Sequence, residues 1–281
     1  MGLAGKRILV VGASSGIGRA LAHASVAAGA QVVLCARRAN RLQAAIDEVG
    51  GGTAVVADVR RAADCERLVA EAVAALEGLD ALVHAVGITP LAWLADADAE
   101  HWQCVFETNV FGPAQVTRAA LPHLRGGISA YLSSNSVGRP RHGLVAYSAS
   151  KAALDESILG WRIEQPDVRF LRIVVGQTGG TEAARDFDPD LAGSLARHWT
   201  AHAFMTRNLM EVNDLGRLLA ETLATCLAHP GIAVQDLRIE PPGPTLLSVE
   251  NPVASAPAND NAPARDRGGP RDTGLRRRPA R

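Results

Sequence analysis

Short β-branched runs return at intervals along this chain, separated by longer Ala- and Leu-rich segments with helical spacing. They read RILVV at 7–11, QVVLCA at 31–36, TAVVAD at 53–58, LDALVHAV at 79–86, ISAYLSS at 128–134, VRFLRIVV at 168–175 and AVQDLRI at 233–239. Apolar runs of this kind are strands buried on both faces, which requires a parallel sheet covered by helices on each side. Right-handed crossovers then leave an α/β architecture, a single doubly wound domain with a seven-stranded parallel sheet. With 281 residues and 47% hydrophobic content the chain can bury one core of that size. Asp96 and Asp98 precede a helical segment as N-cap candidates, and Pro122 and Pro166 fall near helix ends.

Two stretches break the rhythm. Residues 177–210 are too long for a simple connection and are rich in Trp, Phe, Met and His, so a lid or substrate-binding loop is expected there. From about residue 246 to 281 Pro, Ala, Arg and Gly dominate without periodicity, which predicts a disordered Pro/Arg-rich tail after a domain of residues 1–245.

Charge and cysteine usage exclude several classes. The formal net charge is zero, 29 acids against 29 bases, so no nucleic-acid partner is expected. From Val253 onward seven Arg face three Asp, a net of +4, which leaves the preceding residues at 22 minus 26, or −4. A domain that is net acidic would not carry a nucleic-acid surface even if its tail were basic. Cys35, Cys65, Cys104 and Cys226 are scattered, without the spacing of a disulfide framework or a zinc site, which suits a reducing cytoplasm. MGLAGK runs straight into a strand with no leader pattern, and no 18-residue apolar run predicts a membrane span.

The first chemical motif is GASSGIG at 12–18, between the first strand and the first helix. Gly12, Gly16 and Gly18, with Ser14, Ser15 and Ile17 between them, let the backbone turn tightly and approach a pyrophosphate. The helix N-terminus would then hold that group through its free N–H groups and dipole, as in a Rossmann-type dinucleotide site. The spacing is GxxxGxG and not GxGxxG. At the end of the second strand, where an acid would hold the ribose hydroxyls of NAD, the chain has Ala36, Arg37 and Arg38. Arginine there suits a 2′-phosphate, and the competing reading is a solvated helix start.

The third motif is YSASK, Tyr147 to Lys151. Lys6 is the other lysine of the chain, so 29 minus 2 leaves 27 arginines, and lysine is chosen here against the habit of the sequence. On a helix the two side chains share a face one turn apart. Bringing a phenol from a pKa of ~10 to near neutrality takes about 4 kcal/mol, and a positive charge at about 4 Å supplies about that much. A compact ammonium can also donate to ribose hydroxyls. Ser133 and Ser134 put hydroxyls at the C-terminal edge of the sheet, where open α/β proteins bind ligands.

These motifs, with ADV at 57–59 and NVFGPAQVTRAALPHL from Asn109, occur in the order in which they stand in the short-chain dehydrogenase/reductase family. The chain resembles that family over roughly residues 5 to 240. The resemblance implies that Ser134 orients the substrate carbonyl or alcohol and that Tyr147 exchanges the proton. It implies that Lys151 lowers the tyrosine pKa and binds the nicotinamide ribose, that Asn109 holds a water of the proton relay, and that Asp58 with Val59 contacts the adenine. Ala85, Gly87 and Gly176 are expected along the cofactor, and a homodimer or homotetramer is expected through the helices that begin near Trp102 and Tyr147. Val11, the HAVG at 84–87 and Val175-Gly176 depart from the Thr, NNAG and Pro-Gly usual in the family.

The expected function is therefore an NADPH-preferring oxidoreductase interconverting a ketone and a secondary alcohol by a Ser-Tyr-Lys mechanism. The alternative is a dinucleotide-binding regulatory protein without catalysis, against which the intact Asn109, Ser134, Tyr147 and Lys151 count. Asp96, Asp98 and Glu100 read as capping groups before paired carboxylates. No metal is expected, because His198 and His202, one turn apart, lack a Cys or acidic partner nearby and instead suggest a pocket lining. Trp199, Phe204 and Met205 point to a bulky apolar substrate.

Overall fold

The computed structural model describes residues 2–202, 204–206 and 208–242, which lie in one compact unit. The expected tail at 246–281 lies outside the described residues. Seven strands form one sheet: β1 (Arg7–Val11), β2 (Gln31–Ala36), β3 (Thr53–Val56), β4 (Ala81–His84), β5 (Ile128–Ser134), β6 (Arg169–Val175) and β9 (Asp236–Ile239). All neighbours run parallel in the order β3-β2-β1-β4-β5-β6-β9. The third and fourth strands are shorter than the apolar runs suggested, because the chain turns at Asp58 and leaves the sheet after His84. Two short strands, β7 (Thr178–Gly179) and β8 (Met210–Glu211), pair with each other across the two ends of the 177–210 segment.

The helices are α1 (Gly16–Ala27), α2 (Ala39–Val49), α3 (Ala62–Leu76), α4 (Ala99–Phe106), α5 (Gly112–Ala120), α6 (Val145–Glu164), α7 (Pro189–Ala201) and α8 (Val212–Ala228). Strand alternation sorts them into two layers. Ile8 and Val10 of β1 face α1, α2 and α8 through Leu21, Leu42 and Leu219, whereas Leu9 and Val11 face α3, α5 and α6 through Leu68, Val116 and Ile158. A period of two in β1 therefore serves both faces. Asp98 caps α4 by accepting from the His101 amide at 2.8 Å, while Asp96 lies in the preceding turn. α6 ends at Glu164, two residues before Pro166, as expected for a residue that cannot continue a helix.

The sheet order reverses between β1 and β4, and crevices at such switch points open at the C-terminal ends of the strands. There the Ala85 amide donates to the Val11 carbonyl at 2.8 Å, and the Gly12 amide donates to the Cys35 carbonyl at 2.8 Å.

Candidate active site

The glycine loop is built for backbone contact. Gly12 has φ +90°, and a Cβ there would lie 2.5 Å from the Val86 nitrogen, so a side chain would push the β1 and β4 ends apart. Gly18 faces the Gly12 carbonyl at similarly close quarters, and Gly16 takes φ +55°. Ser15 occupies the N-cap of α1 in extended conformation without a side-chain capping bond, so its hydroxyl leaves the first amides of the helix free. This bare helix start and closely packed glycine turn fit a dinucleotide pyrophosphate. Ile17 packs beneath the loop against the α1–α8 layer of the core.

At the outer end of the crevice Arg37 is exposed, and its charge acts on Asp58. Arg38 is the N-cap residue of α2; its guanidinium approaches Ser14 Oγ at 3.5 Å and Glu182 at 3.0 Å. Arg41, one turn along α2, donates to the same Glu182 carboxylate. The Asp58 carboxylate is gripped by Arg60, whose Nη2 donates at 2.6 Å, and that bond holds its pKa below the usual carboxylate range. Val59 is buried against Gly112, where a Cβ would lie 2.6 Å from Val59 Cγ2, so its side chain belongs to the core.

The corner that carries Asn109, Ser134, Tyr147 and Lys151 lies further along the same edge. A wide π turn, Glu107–Phe111, interrupts the passage from α4 to α5 and carries Asn109, which is fully buried. Such bulges re-aim a side chain without ending a helix. Asn109 Oδ1 accepts from the Ile88 amide at 2.9 Å, and Nδ2 donates to the Ile88 carbonyl and to Ser150 Oγ, both at 3.0 Å. Ser134 ends β5, and Tyr147 and Lys151 lie on the first turns of α6. A Cβ placed on Gly87 would lie 3.5 Å from Asn109 Oδ1 and 3.6 Å from Lys151 Nζ, so these polar ends meet where the chain leaves β4. Gly176 closes the edge, donating to the Ile239 carbonyl at 2.8 Å.

Electrostatics here differ from the simple tyrosine–lysine pair. Lys151 Nζ donates to the Leu132 carbonyl at 2.7 Å and sits over the Tyr147 ring, 5.9 Å from its centroid. Burial pushes the Tyr147 phenol up, while a hydrogen bond with Ser134 and the charge of Arg141 pull it down. Burial brings Lys151 down to about 8, against the pull of Asp155 one turn further along α6. Arg141 is a further cation acting on the phenol, one that sequence reasoning missed; its Nη2 donates to Asn135 Oδ1 at 3.0 Å. Its position six residues before the tyrosine in an irregular GRPRHG stretch has no periodicity that could have singled it out.

His84 accounts for one departure from the family pattern. It stacks on Tyr131 with centroids 4.5 Å apart, and its Nε2 lies 3.0 Å from Thr117 Oγ1, which in turn lies 2.7 Å from Tyr131 Oη. Burial, and secondarily the charge of Lys151, hold the imidazole neutral with a pKa of about 3.

The 177–210 segment forms a wall beside this corner. Gln177 ties it to the sheet end, with Nε2 donating to the Phe204 carbonyl at 2.6 Å and Oε1 accepting from the Thr206 amide at 2.9 Å. His142 stacks on His198 at 4.9 Å and lies 4.8 Å from His202, and Trp93 meets His198 edge-on at 5.3 Å. Trp199 Nε1 donates to the His142 carbonyl at 2.8 Å. Among the described residues no group of three His, Cys, Asp or Glu side chains is arranged to hold a metal ion, and no helix is long and apolar enough to cross a membrane.

Comparison with known proteins follows the same lines. The chain is 38% identical to the 11-beta-hydroxysteroid dehydrogenase 1A of Arabidopsis thaliana over 170 residues, which are 58% of this chain and 49% of that one. It thus spans about half the length of such curated relatives. A dehydrogenase/reductase from Sinorhizobium meliloti 1021 superposes with a TM-score of 0.72 at 31% identity, covering 85% of this chain and 95% of that one. A short chain dehydrogenase from Burkholderia cenocepacia J2315, solved in complex with NADP, superposes with a TM-score of 0.72 at 27% identity, covering 85% and 97%. The short chain dehydrogenase family model matches residues 6–191, a span that takes in the glycine loop, the π turn, the serine strand and the tyrosine helix, and the chain belongs to the short-chain dehydrogenase/reductase family.

Proposed function

We propose that this protein is an NADP-dependent oxidoreductase that interconverts a ketone and a secondary alcohol. The observation that carries the reading is that Asn109 and Lys151 meet beside Gly87 while Tyr147 hydrogen-bonds with Ser134 on the same strand edge, next to a glycine turn that leaves the start of α1 bare. When bound, the nicotinamide supplies or takes up the hydride. In the reducing direction Tyr147 gives its proton to the carbonyl oxygen, and Ser134 donates a hydrogen bond to that oxygen as charge gathers on it. Lys151 and Arg141 lower the energy of the phenolate left behind, and Asn109 holds a water through which the proton is replaced. Lys151 would also donate to the nicotinamide ribose, Ala85, Gly87 and Gly176 would line the cofactor, and Asp58 with Val59 would border the adenine.

Arg37 and Arg38, with Ala36 in place of an acid, support NADPH over NADH, and the NADP complex of the Burkholderia relative is consistent with that choice. The wall of Trp93, Trp199, Phe204 and the histidines supports a bulky apolar substrate, and the name of the Arabidopsis relative adds polycyclic secondary alcohols to the candidates. Phe111 at the π turn and Leu159 and Ile163 on α6 are exposed, Ile163 by 81%, which supports pairing of copies through these helices.

A panel of ketones, bulky cyclic ones included, assayed by NADPH consumption with Tyr147→Phe as control, tests the reading. Turnover that the control loses is the expected result. Cofactor binding without turnover of any carbonyl or alcohol would favour the catalytically silent regulatory protein.

A further inference from the structure

The turn after β7 lies across the mouth of the crevice. A Cβ on Gly16 would lie 3.6 Å from Thr181 Cβ, and the Ala183 carbonyl accepts from Thr89 Oγ1 at 3.0 Å. Between them Glu182 reaches the outer end of the cofactor site. Its carboxylate accepts from Arg38 at 3.0 Å, from Arg41, and from Arg185 of its own turn at 2.6 Å. Arg38 and Arg41 stand at the N-terminus of α2, whose first turn holds no acid. Cations at the positive end of a helix are unfavourable unless an anion sits with them. The anion there now is Glu182, brought from a residue 141 positions away from Arg41. It is also exchangeable, since the side chains of Arg38, Arg41 and Glu182 are 38%, 45% and 31% exposed.

We propose that Glu182 is a specificity-determining residue: it occupies the guanidinium groups of Arg38 and Arg41 and competes with the 2′-phosphate of NADP for them. The inference rests on the reading of this end of the crevice as a 2′-phosphate site. A dianionic phosphate outbids a monoanionic carboxylate for the same forked donors, so NADPH displaces Glu182 and keeps only the difference between the two interactions. NADH carries nothing that contests these arginines, and the Glu182 contacts survive its binding. Glu182 therefore narrows the margin between the two cofactors and couples release of the 180–186 turn to recognition of the phosphate.

The test is calorimetric titration of adenosine 2′,5′-bisphosphate and of 5′-AMP into the full chain, as wild type, Glu182→Gln, and Arg38→Ala with Arg41→Ala. Neither ligand carries the nicotinamide, so the readout is independent of turnover. Glu182→Gln is expected to tighten the bisphosphate about tenfold and to leave 5′-AMP unchanged, whereas the double arginine variant weakens the bisphosphate at least about tenfold. Unchanged or weaker bisphosphate binding in Glu182→Gln, with the arginine variant still impaired, overturns the competition and spares the 2′-phosphate site. Bisphosphate binding no tighter than 5′-AMP in both wild type and Glu182→Gln defeats the site, and the competition with it.

Discussion

The proposed catalytic corner and the outer end of the proposed cofactor crevice stand on the same sheet edge and are built on opposite terms. Asn109, Ser134 and Lys151 are at most 8% exposed, and Asn109 and Lys151 are held by hydrogen bonds of 2.7 to 3.0 Å to groups of the fold itself. Arg38 and Arg41 are more than a third exposed, and their acidic partner comes from a surface turn. Proton transfer depends on groups fixed to within a fraction of an ångström, which burial and multiple hydrogen bonds supply. Recognition of a charge that arrives and leaves instead requires donors whose partner can be exchanged, because a carboxylate sealed in place would exclude the phosphate.

The contrast breaks most visibly at Tyr147. Tyr147→Phe removes one hydroxyl and little volume, so kcat should fall by roughly 10²- to 10⁴-fold while the dissociation constant of the cofactor, measured by fluorescence, stays close to wild type. A variant that kept more than a few per cent of the wild-type rate would remove Tyr147 as the proton donor.

At the other end, wild type should favour NADPH by at least about tenfold in kcat/KM, and Ala36→Asp with Arg37→Ile should reverse the order. Forked contacts to a phosphate are worth about 1.5 to 3 kcal/mol, or roughly 10- to 150-fold. Equal use of both cofactors by wild type would reduce Arg37 and Arg38 to a solvated helix start.

Acid should separate the two regions. Burial holds the His84 imidazole down to about 3, against an ordinary value of 6.5. Between these values the unfolded chain binds a proton that the folded chain refuses, so stability falls as pH drops through this window. The slope is about 1.4 kcal/mol per pH unit for this one group. His84→Asn should be less stable at pH 7 for lack of the ring stacked on Tyr131, but should lose one proton's worth of that slope in denaturant titrations. A slope identical to wild type would mean that His84 is not the group excluded from protonation. The part of the acid sensitivity that His84 carries belongs to the layer beneath the corner of Asn109, Ser134, Tyr147 and Lys151.

The smallest effect is expected at Arg141. Its charge lowers the Tyr147 pKa, so Arg141→Met should raise it, and the pH midpoint for alcohol oxidation, which needs the phenolate, should move upward with little change in melting temperature. An unmoved midpoint would leave Ser134 and Lys151 as the groups that tune the phenol.

Much of this was readable before the fold was known, and particular residues show why the rest was not. The seven apolar runs became the seven sheet strands because each is short, β-branched and bounded by breakers. Asp98 caps α4 because an Asx side chain satisfies amides two or three residues on, a purely local interaction. The π turn at Asn109 has no such signature. It follows from the bonds that Asn109 makes with Ile88, 21 residues earlier, and Ser150, 41 residues later. Nor could the role of His84 be read from HAVG, since its partners Thr117 and Tyr131 lie on other elements.

The sequence by itself determined the sheet, the glycine turn and the one-turn spacing of Tyr147 and Lys151, because periodicity, backbone freedom and helical geometry act over a few residues. Only the tertiary structure decided that Arg141 joins Lys151 beside the phenol, and that Glu182 rests on the arginines of α2. Both outcomes are electrostatic, and a charge interacts with whatever the fold brings within a few ångströms of it, however far apart the chain has written the two residues.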